Sequence, residues 1–274
     1  MDLMIPLVAI VATLLVFWLG SAARAFPVAA NFEGKSIPIA GIAVAIGILF
    51  GLQWDLASNA GFRGTVWTGK PAVAGIAILA FAVLGYVDDR WGDRTVSGFG
   101  GHIRSALRGR ITTGFIKLFG GGLTALLCGR LLMDSGWEAA GTLWLLKSAV
   151  IALSANALNL LDTRPARAAC AFVGLVAASL VCDRTQAPII AAGLGAALAW
   201  LPLDRRRLAM LGDAGSNVMG AFLGVTFVAY ARWEAVASAL VALVVFHVYA
   251  ERRSLNADIA ATPTLRKLDE WIRG

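Results

Sequence analysis

The feature that most constrains this chain is a succession of nearly uncharged stretches. Each is about 15–20 residues long, which as a helix is enough to cross a hydrocarbon core of about 30 Å. They fall at residues 3–19, 37–51, 72–87, 111–131, 144–161, 166–181, 187–203, 215–230 and 235–250. Lipid offers backbone N–H and C=O groups no partner, so such stretches span as helices, which satisfy their own hydrogen bonds. Charged residues make up only 15% of the chain and hydrophobic ones 58%, against about 25% charged in a soluble domain. That balance excludes a soluble enzyme or binding module. The expectation is an all-α membrane protein, with about nine transmembrane helices in one bundle over residues 1–250 and a tail over 251–274. The first stretch has no basic leader and no small-x-small cleavage signal before a polar domain, so it reads as a retained span. Cys128, Cys170 and Cys182 lack metal-ligand spacing and read as small buried hydrophobes.

Charge gives the expected orientation. With nine spans, alternate connections share a side. One set holds only Arg63, Lys70, Arg130, Arg184 and Arg232, while the other holds most of the 24 Lys and Arg. The richer side is expected to be cytoplasmic, with the N-terminus outside and the C-terminus inside a bacterial cytoplasmic membrane. The net charge of +7 therefore reads as orientation and contact with anionic headgroups, not as nucleic-acid binding. In the tail, Leu255 and Ile259, then Leu265, Leu268 and Ile272 beside Trp271 after Pro263, have the spacing of short amphipathic helices on a membrane surface.

Three polar clusters interrupt this pattern, all expected on the cytoplasmic side. Asp88, Asp89 and Asp93 follow the third span, Asn156, Asn159 and Asp162 end the fifth, and Asp213 opens the eighth within Leu211-Gly-Asp-Ala-Gly-Ser216. Adjacent carboxylates at the end of an apolar helix repel one another unless a cation holds them ionised. Mg²⁺ does this with one or two carboxylates plus substrate phosphates. Asn156, Asn159 and Asp162 fall within an arc of about 120° on one helical face, suited to one ligand. Gly212 and Gly215 let backbone approach closely, and Ser216 with the free N–H groups of a helix start suits an anion. Lys117 adds a cation seven residues into the fourth span. Each cluster alone has a plainer reading: solvated carboxylates at an interface, Asn side chains joining helices, a snorkelling lysine. Their convergence on one face favours a site.

The segments Gly85-Tyr-Val-Asp-Asp-Arg, Asn156-Ala-Leu-Asn-Leu-Leu-Asp162 and Met210-Leu-Gly-Asp-Ala-Gly-Ser216, with Gly34-Lys-Ser-Ile-Pro38 and Gly41 before them, resemble the polyprenyl-phosphate N-acetylhexosamine-1-phosphate transferases. This family includes phospho-N-acetylmuramoyl-pentapeptide transferase. The resemblance implies a helical bundle with a cytoplasm-facing site. There a phosphate oxygen of undecaprenyl phosphate attacks the β-phosphorus of a UDP-amino sugar, giving a polyprenyl diphosphate-sugar and UMP in cell-envelope glycan synthesis. By motif position it implies that Asp88, Asp89 and Lys117 serve catalysis, and that Asp213 with Asp89 holds Mg²⁺. Asn156, Asn159, Asp162 and Ser216 would bind substrate, and a homodimer is among the assemblies it allows. After Asp162 the chain reads Thr163-Arg-Pro-Ala166, where the family continues Asp-Gly-x-Asp-Gly. His247 stands alone where the family has a His-rich loop. Two further readings stand beside the transferase. One is a catalytically weak paralogue that binds lipid phosphate or a partner enzyme. The other is a transporter, which would place its ionisable groups near the midplane in paired half-repeats.

Overall fold

The computed structural model describes residues 3–22, 30–31, 35–36, 38–60, 69–92, 96, 98–133, 140–182 and 187–273. Among them are twelve helices. In order they are α1 (Met4–Ala22), α2 (Pro38–Ala60), α3 (Gly69–Trp91), α4 (Phe99–Leu107), α5 (Thr113–Leu131), α6 (Ala140–Leu161), α7 (Arg167–Cys182), α8 (Ala187–Arg205), α9 (Gly212–Tyr230), α10 (Trp233–Arg252), α11 (Leu255–Ala261) and α12 (Pro263–Arg273). Between α1 and α2, the two-residue strands β1 (Ala30–Asn31) and β2 (Lys35–Ser36) pair antiparallel, with Ala30 opposite Ser36. Helix boundaries follow local chemistry. Thr112 caps α5 by accepting a hydrogen bond at its Oγ1 from the Phe115 N–H at 3.1 Å, and Pro263 opens α12 where its missing N–H removes no hydrogen bond.

Each of the nine expected spans falls in one helix: α1, α2, α3 and α5 to α10. Among the described residues, five helices are long and apolar enough to cross a membrane: α3, α5, α6, α8 and α10. The apolar cores of α1, α2 and α7 are shorter, and Asp213, Ser216 and Asn217 dilute the first turns of α9. Large apolar side chains cover much of the outside. Leu7, Val11 and Leu15 are exposed on α1, Phe119, Leu123 and Leu127 on α5, and Val241, Val244, Val245 and Val248 on α10. A soluble protein rarely exposes so continuous an apolar surface, whereas lipid solvates it. The chain is a helical, membrane-embedded protein.

At the centre stands α9, packed against α2, α3 and α6 and touching α5, α7 and α8, while α10 lies outside on α6. Phe222 of α9 meets Phe172 of α7 inside the bundle. Small residues set the spacing around α9. A Cβ on Gly220 would stand 2.6 Å from Ala155 Cα of α6, and one on Gly224 2.9 Å from Ile151 Cα. Helices in lipid associate through such close packing, because burial of apolar surface supplies no drive there.

The closest approach is at the start of α9. Ala214 is held between Gly41 of α2 and Gly85 of α3. A Cβ on Gly85 would lie 2.5 Å from the Ala214 N and Cα, and one on Gly41 2.5 Å from Ala214 Cβ. Backbone cannot yield as a flexible side chain can, so a methyl group at Gly85 must separate α3 from α9. Gly85→Ala is expected to destabilise the fold by about 1–3 kcal/mol. Gly122→Ala on α5, where nothing lies within 4 Å of the added carbon, is expected to be neutral or to stabilise by up to about 1 kcal/mol. Thermal unfolding of both variants in detergent checks this; equal midpoints would refute the contact.

Candidate functional site

The close approach at Gly85 has a direct chemical result one turn later. Asp89, four residues on along α3, reaches the start of α9 with both carboxylate oxygens. Oδ1 accepts from the Asp213 N–H and Oδ2 from the Ala214 N–H, each at 2.9 Å. These are two of the N–H groups that a helix start leaves without an intrahelical partner, and negative charge there is further favoured by the helix dipole. The preceding N–H, that of Gly212, faces the carboxylate of Asp162. Gly212 has φ +61°, a left-handed conformation that favours glycine. Carboxylates from α3 and from the end of α6 thus cap α9 in place of a local side chain.

Lys117 joins the next pair. Its ammonium, from the first turns of α5, binds Asp88 Oδ2 at 2.7 Å and also contacts Asp213 Oδ2. Thr113, which opens α5, hydrogen-bonds Asp88 as well. All three charged side chains remain partly open, at 19% exposure for Lys117, 16% for Asp88 and 25% for Asp213. Ser216 Oγ lies 2.7 Å from the Gly212 carbonyl and 2.9 Å from Asn159 Oδ1, tying α9 to α6. Asn156 is half-buried one turn earlier on α6, and no hydrogen bond joins it to this cluster among the described residues. Asp93 lies outside the described residues.

These contacts bring the C-terminal ends of α3, α6 and α8 together with the N-terminal ends of α5, α7 and α9. The three polar clusters of the sequence therefore meet at one end of the bundle. Burial, then the carboxylates of Asp204, Asp213 and Asp89, push Asp162 well above the ordinary carboxylate range, opposed by the Gly212 N–H. Of the five carboxylates at this end, Asp88 and Asp213 face the Lys117 ammonium, while Asp89, Asp162 and Asp204 face backbone N–H groups.

Sequence reasoning missed three participants. Asp204, at 1% exposure, accepts from the Ala166 N–H and so fixes the turn after Asp162. The only sequence signal was an acidic residue at the end of an apolar helix, masked by Arg205, Arg206 and Arg207 beside it. Asn217 donates from Nδ2 to the Asp213 carbonyl at 2.6 Å, in the i+4 register that repeats the polar face of α9. Arg167, which by sequence is one more basic residue on the Lys- and Arg-rich side, is buried in a hydrogen-bonded network. His247, by contrast, bonds through Nδ1 to the Leu243 carbonyl of its own helix at 2.7 Å.

For a metal ion, the donors that fit are Asp88 and Asp213. Their oxygens already converge on one ammonium, so a single cation can reach both. Among the described residues no three His, Cys, Asp or Glu side chains surround a common position, so most ligands of a six-coordinate ion would have to be water or phosphate oxygens, as is usual for Mg²⁺. Asp89 differs from its neighbours, because both its oxygens are held by α9. Asp89→Ala is expected to cost about 2–4 kcal/mol of stability, through two buried N–H groups left without acceptors. Asp88→Ala is expected to cost less, since it also relieves repulsion with Asp213. Thermal unfolding in detergent ranks the two, and a larger loss for Asp88→Ala would refute the capping role. No protein-family model matches the chain, and comparison with curated proteins gives no significant match.

Proposed function

We propose that this protein transfers a sugar-1-phosphate from a UDP-amino sugar to polyprenyl phosphate, with Mg²⁺, at the cytoplasmic face of a bacterial cytoplasmic membrane. The observation that carries the reading is the convergence of Asp88 and Asp213 on one cation. This occurs at the start of a central helix and at one end of a membrane-embedded bundle. That position suits an acceptor phosphate whose chain lies in lipid and a donor that arrives from water. The motifs Gly85-Tyr-Val-Asp-Asp and Met210-Leu-Gly-Asp-Ala-Gly-Ser216 support the same reading by resemblance.

Phosphoryl transfer requires mainly positioning and neutralisation of charge. In the proposed reaction an oxygen of polyprenyl phosphate forms a bond to the β-phosphorus of the donor. The bond from that phosphorus to the bridging oxygen breaks, and UMP leaves with the electron pair. Asp88 and Asp213 would hold Mg²⁺, which neutralises the donor's diphosphate when bound. With the ion on the two carboxylates, the Lys117 ammonium is free to turn toward a phosphate oxygen. Asp89 keeps the start of α9 fixed, and with it Asp213. Asn156, Asn159, Asp162 and Ser216 form the polar edge of α6 and α9, where the nucleotide-sugar would bind.

A second reading, a paralogue that binds lipid phosphate without turnover, is favoured by one observation. The Lys117 ammonium already occupies the position between both candidate metal ligands, and no third acidic or histidine ligand joins them among the described residues. Release of UMP from a panel of UDP-amino sugars, with undecaprenyl phosphate and Mg²⁺, separates the two. The transferase reading expects release that chelation abolishes and added Mg²⁺ restores. Asp213→Asn, which keeps size but removes charge, is expected to lower turnover at least ~10²-fold, the scale of losing one electrostatic stabiliser of the transition state. A mutant as active as the wild type would rule out Asp213 as an essential ligand. A wild type inactive with every donor would favour the binding paralogue.

A further inference from the structure

The C-terminal helices are bound to the turn that follows Asp162. Arg167, at the start of α7, is 7% exposed. Its Nε donates to Asp269 Oδ1 of α12 at 2.8 Å, while one terminal nitrogen donates to Asn256 Oδ1 of α11 at 2.8 Å and to Thr163 Oγ1 at 3.0 Å. Thr163 in turn donates from Oγ1 to Asn256 Oδ1 at 3.0 Å. A second anchor joins α12 to the end of α8, where Arg205 donates to the Trp271 carbonyl at 2.6 Å. Thr163 and Arg167 bracket the segment Arg164-Pro165-Ala166. Within it Ala166 adopts φ +63°, a conformation that costs a non-glycine residue energy and persists only where surroundings impose it. The Ala166 N–H is held by Asp204 from inside, and α11 and α12 hold the flanking residues from outside.

Helix α12 has three distinct sides at 3.6 residues per turn. Asp269, Ile272 and Arg273 are half-buried toward the bundle. Arg266, Lys267 and Glu270 are exposed on a charged side. On the remaining side Leu268 and Trp271 are 51% and 70% exposed, and Leu265, 46% exposed, lies two turns before Ile272 where that side meets the bundle side. A helix with a protein side, a charged side and a bare apolar side has the form of one lying in the headgroup layer beside a membrane bundle. Tryptophan is enriched at that depth, and Arg205, Arg206 and Arg207 lie at the same end, suited to anionic phosphates.

We propose that α11 and α12 form a strap anchored in the bilayer surface, with Leu265, Leu268 and Trp271 in lipid, and that through Asp269 and Arg167 the strap fixes the turn carrying Asp162. The inference goes beyond the transferase reading and is tested without measuring activity. In a full-length variant whose cysteines are replaced by alanine, a nitrobenzoxadiazole probe is placed on Leu268→Cys or on Glu270→Cys. The protein is then set in nanodiscs of phosphatidylethanolamine and phosphatidylglycerol. The probe at 268 is expected to be quenched by headgroup-region nitroxide lipids and shielded from iodide, and the probe at 270 to show the reverse. A 268 probe open to iodide, or shielded yet untouched by the nitroxide lipid as a protein partner would leave it, overturns the lipid contact. In the same nanodiscs, Asp269→Asn is expected to speed amide exchange across residues 162–167 at least ~10-fold. Exchange at residues 212–217 should stay at the wild-type rate, which establishes that the variant is folded. Unchanged exchange at 162–167 overturns the strap. Should Asp269→Asn prevent folding, Asn256→Ala serves for the same measurement, with the same expected acceleration and the same overturning result.

Discussion

The structure depends on how the first turn of α9 is held. Three consecutive N–H groups there would be orphans in any helix, and in a membrane-embedded bundle water is a poor substitute partner. Asp89 takes two of them and Asp162 faces the third. The arrangement works only because Gly41 and Gly85 bring α2 and α3 to within backbone contact of Ala214. A negatively charged side chain at such a position gains from the hydrogen bonds and from the helix dipole together. The same contacts therefore serve stability and fix Asp213, whose own carboxylate is left free to face Lys117.

Around that start the carboxylates divide by partner. Lys117 binds Asp88 and Asp213, whereas Asp162 faces the Gly212 N–H and Asp204 faces the Ala166 N–H and the Trp200 side chain. This end of the bundle therefore holds acidic side chains in its interior. It also has a mixed character at its rim, where the basic residues after α8 face the same end as the acidic cluster.

Much of this was legible in the sequence. The apolar runs located nine helices, because a stretch without charge in a chain of this composition has few other fates. The three polar clusters were visible because charge and amide are expensive in lipid, and the alternation of connections put them at one end. Less visible was the division of labour within them. Asp88 and Asp89 are adjacent and alike in sequence, yet consecutive residues on a helix point about 100° apart. One therefore meets Lys117 and the other caps α9. Asp204 and Arg167 were hidden among orienting charges, since a count of Lys and Arg cannot separate a solvated side chain from a buried one.

The sequence by itself determined the helical, membrane-embedded class, the place of each long helix, and the gathering of acidic and amide residues near helix ends. Those properties follow from local composition and from the cost of leaving backbone or charge unpaired in lipid. Tertiary structure alone decided which carboxylate holds a helix start and which faces a cation, and that Lys117 lies between Asp88 and Asp213. It also decided that the C-terminal helices grip the turn after Asp162 through Arg167. Each of these rests on contacts between residues far apart in the chain. Such contacts depend on how closely two helices approach, and therefore on single glycines such as Gly41 and Gly85 whose partners no local pattern names.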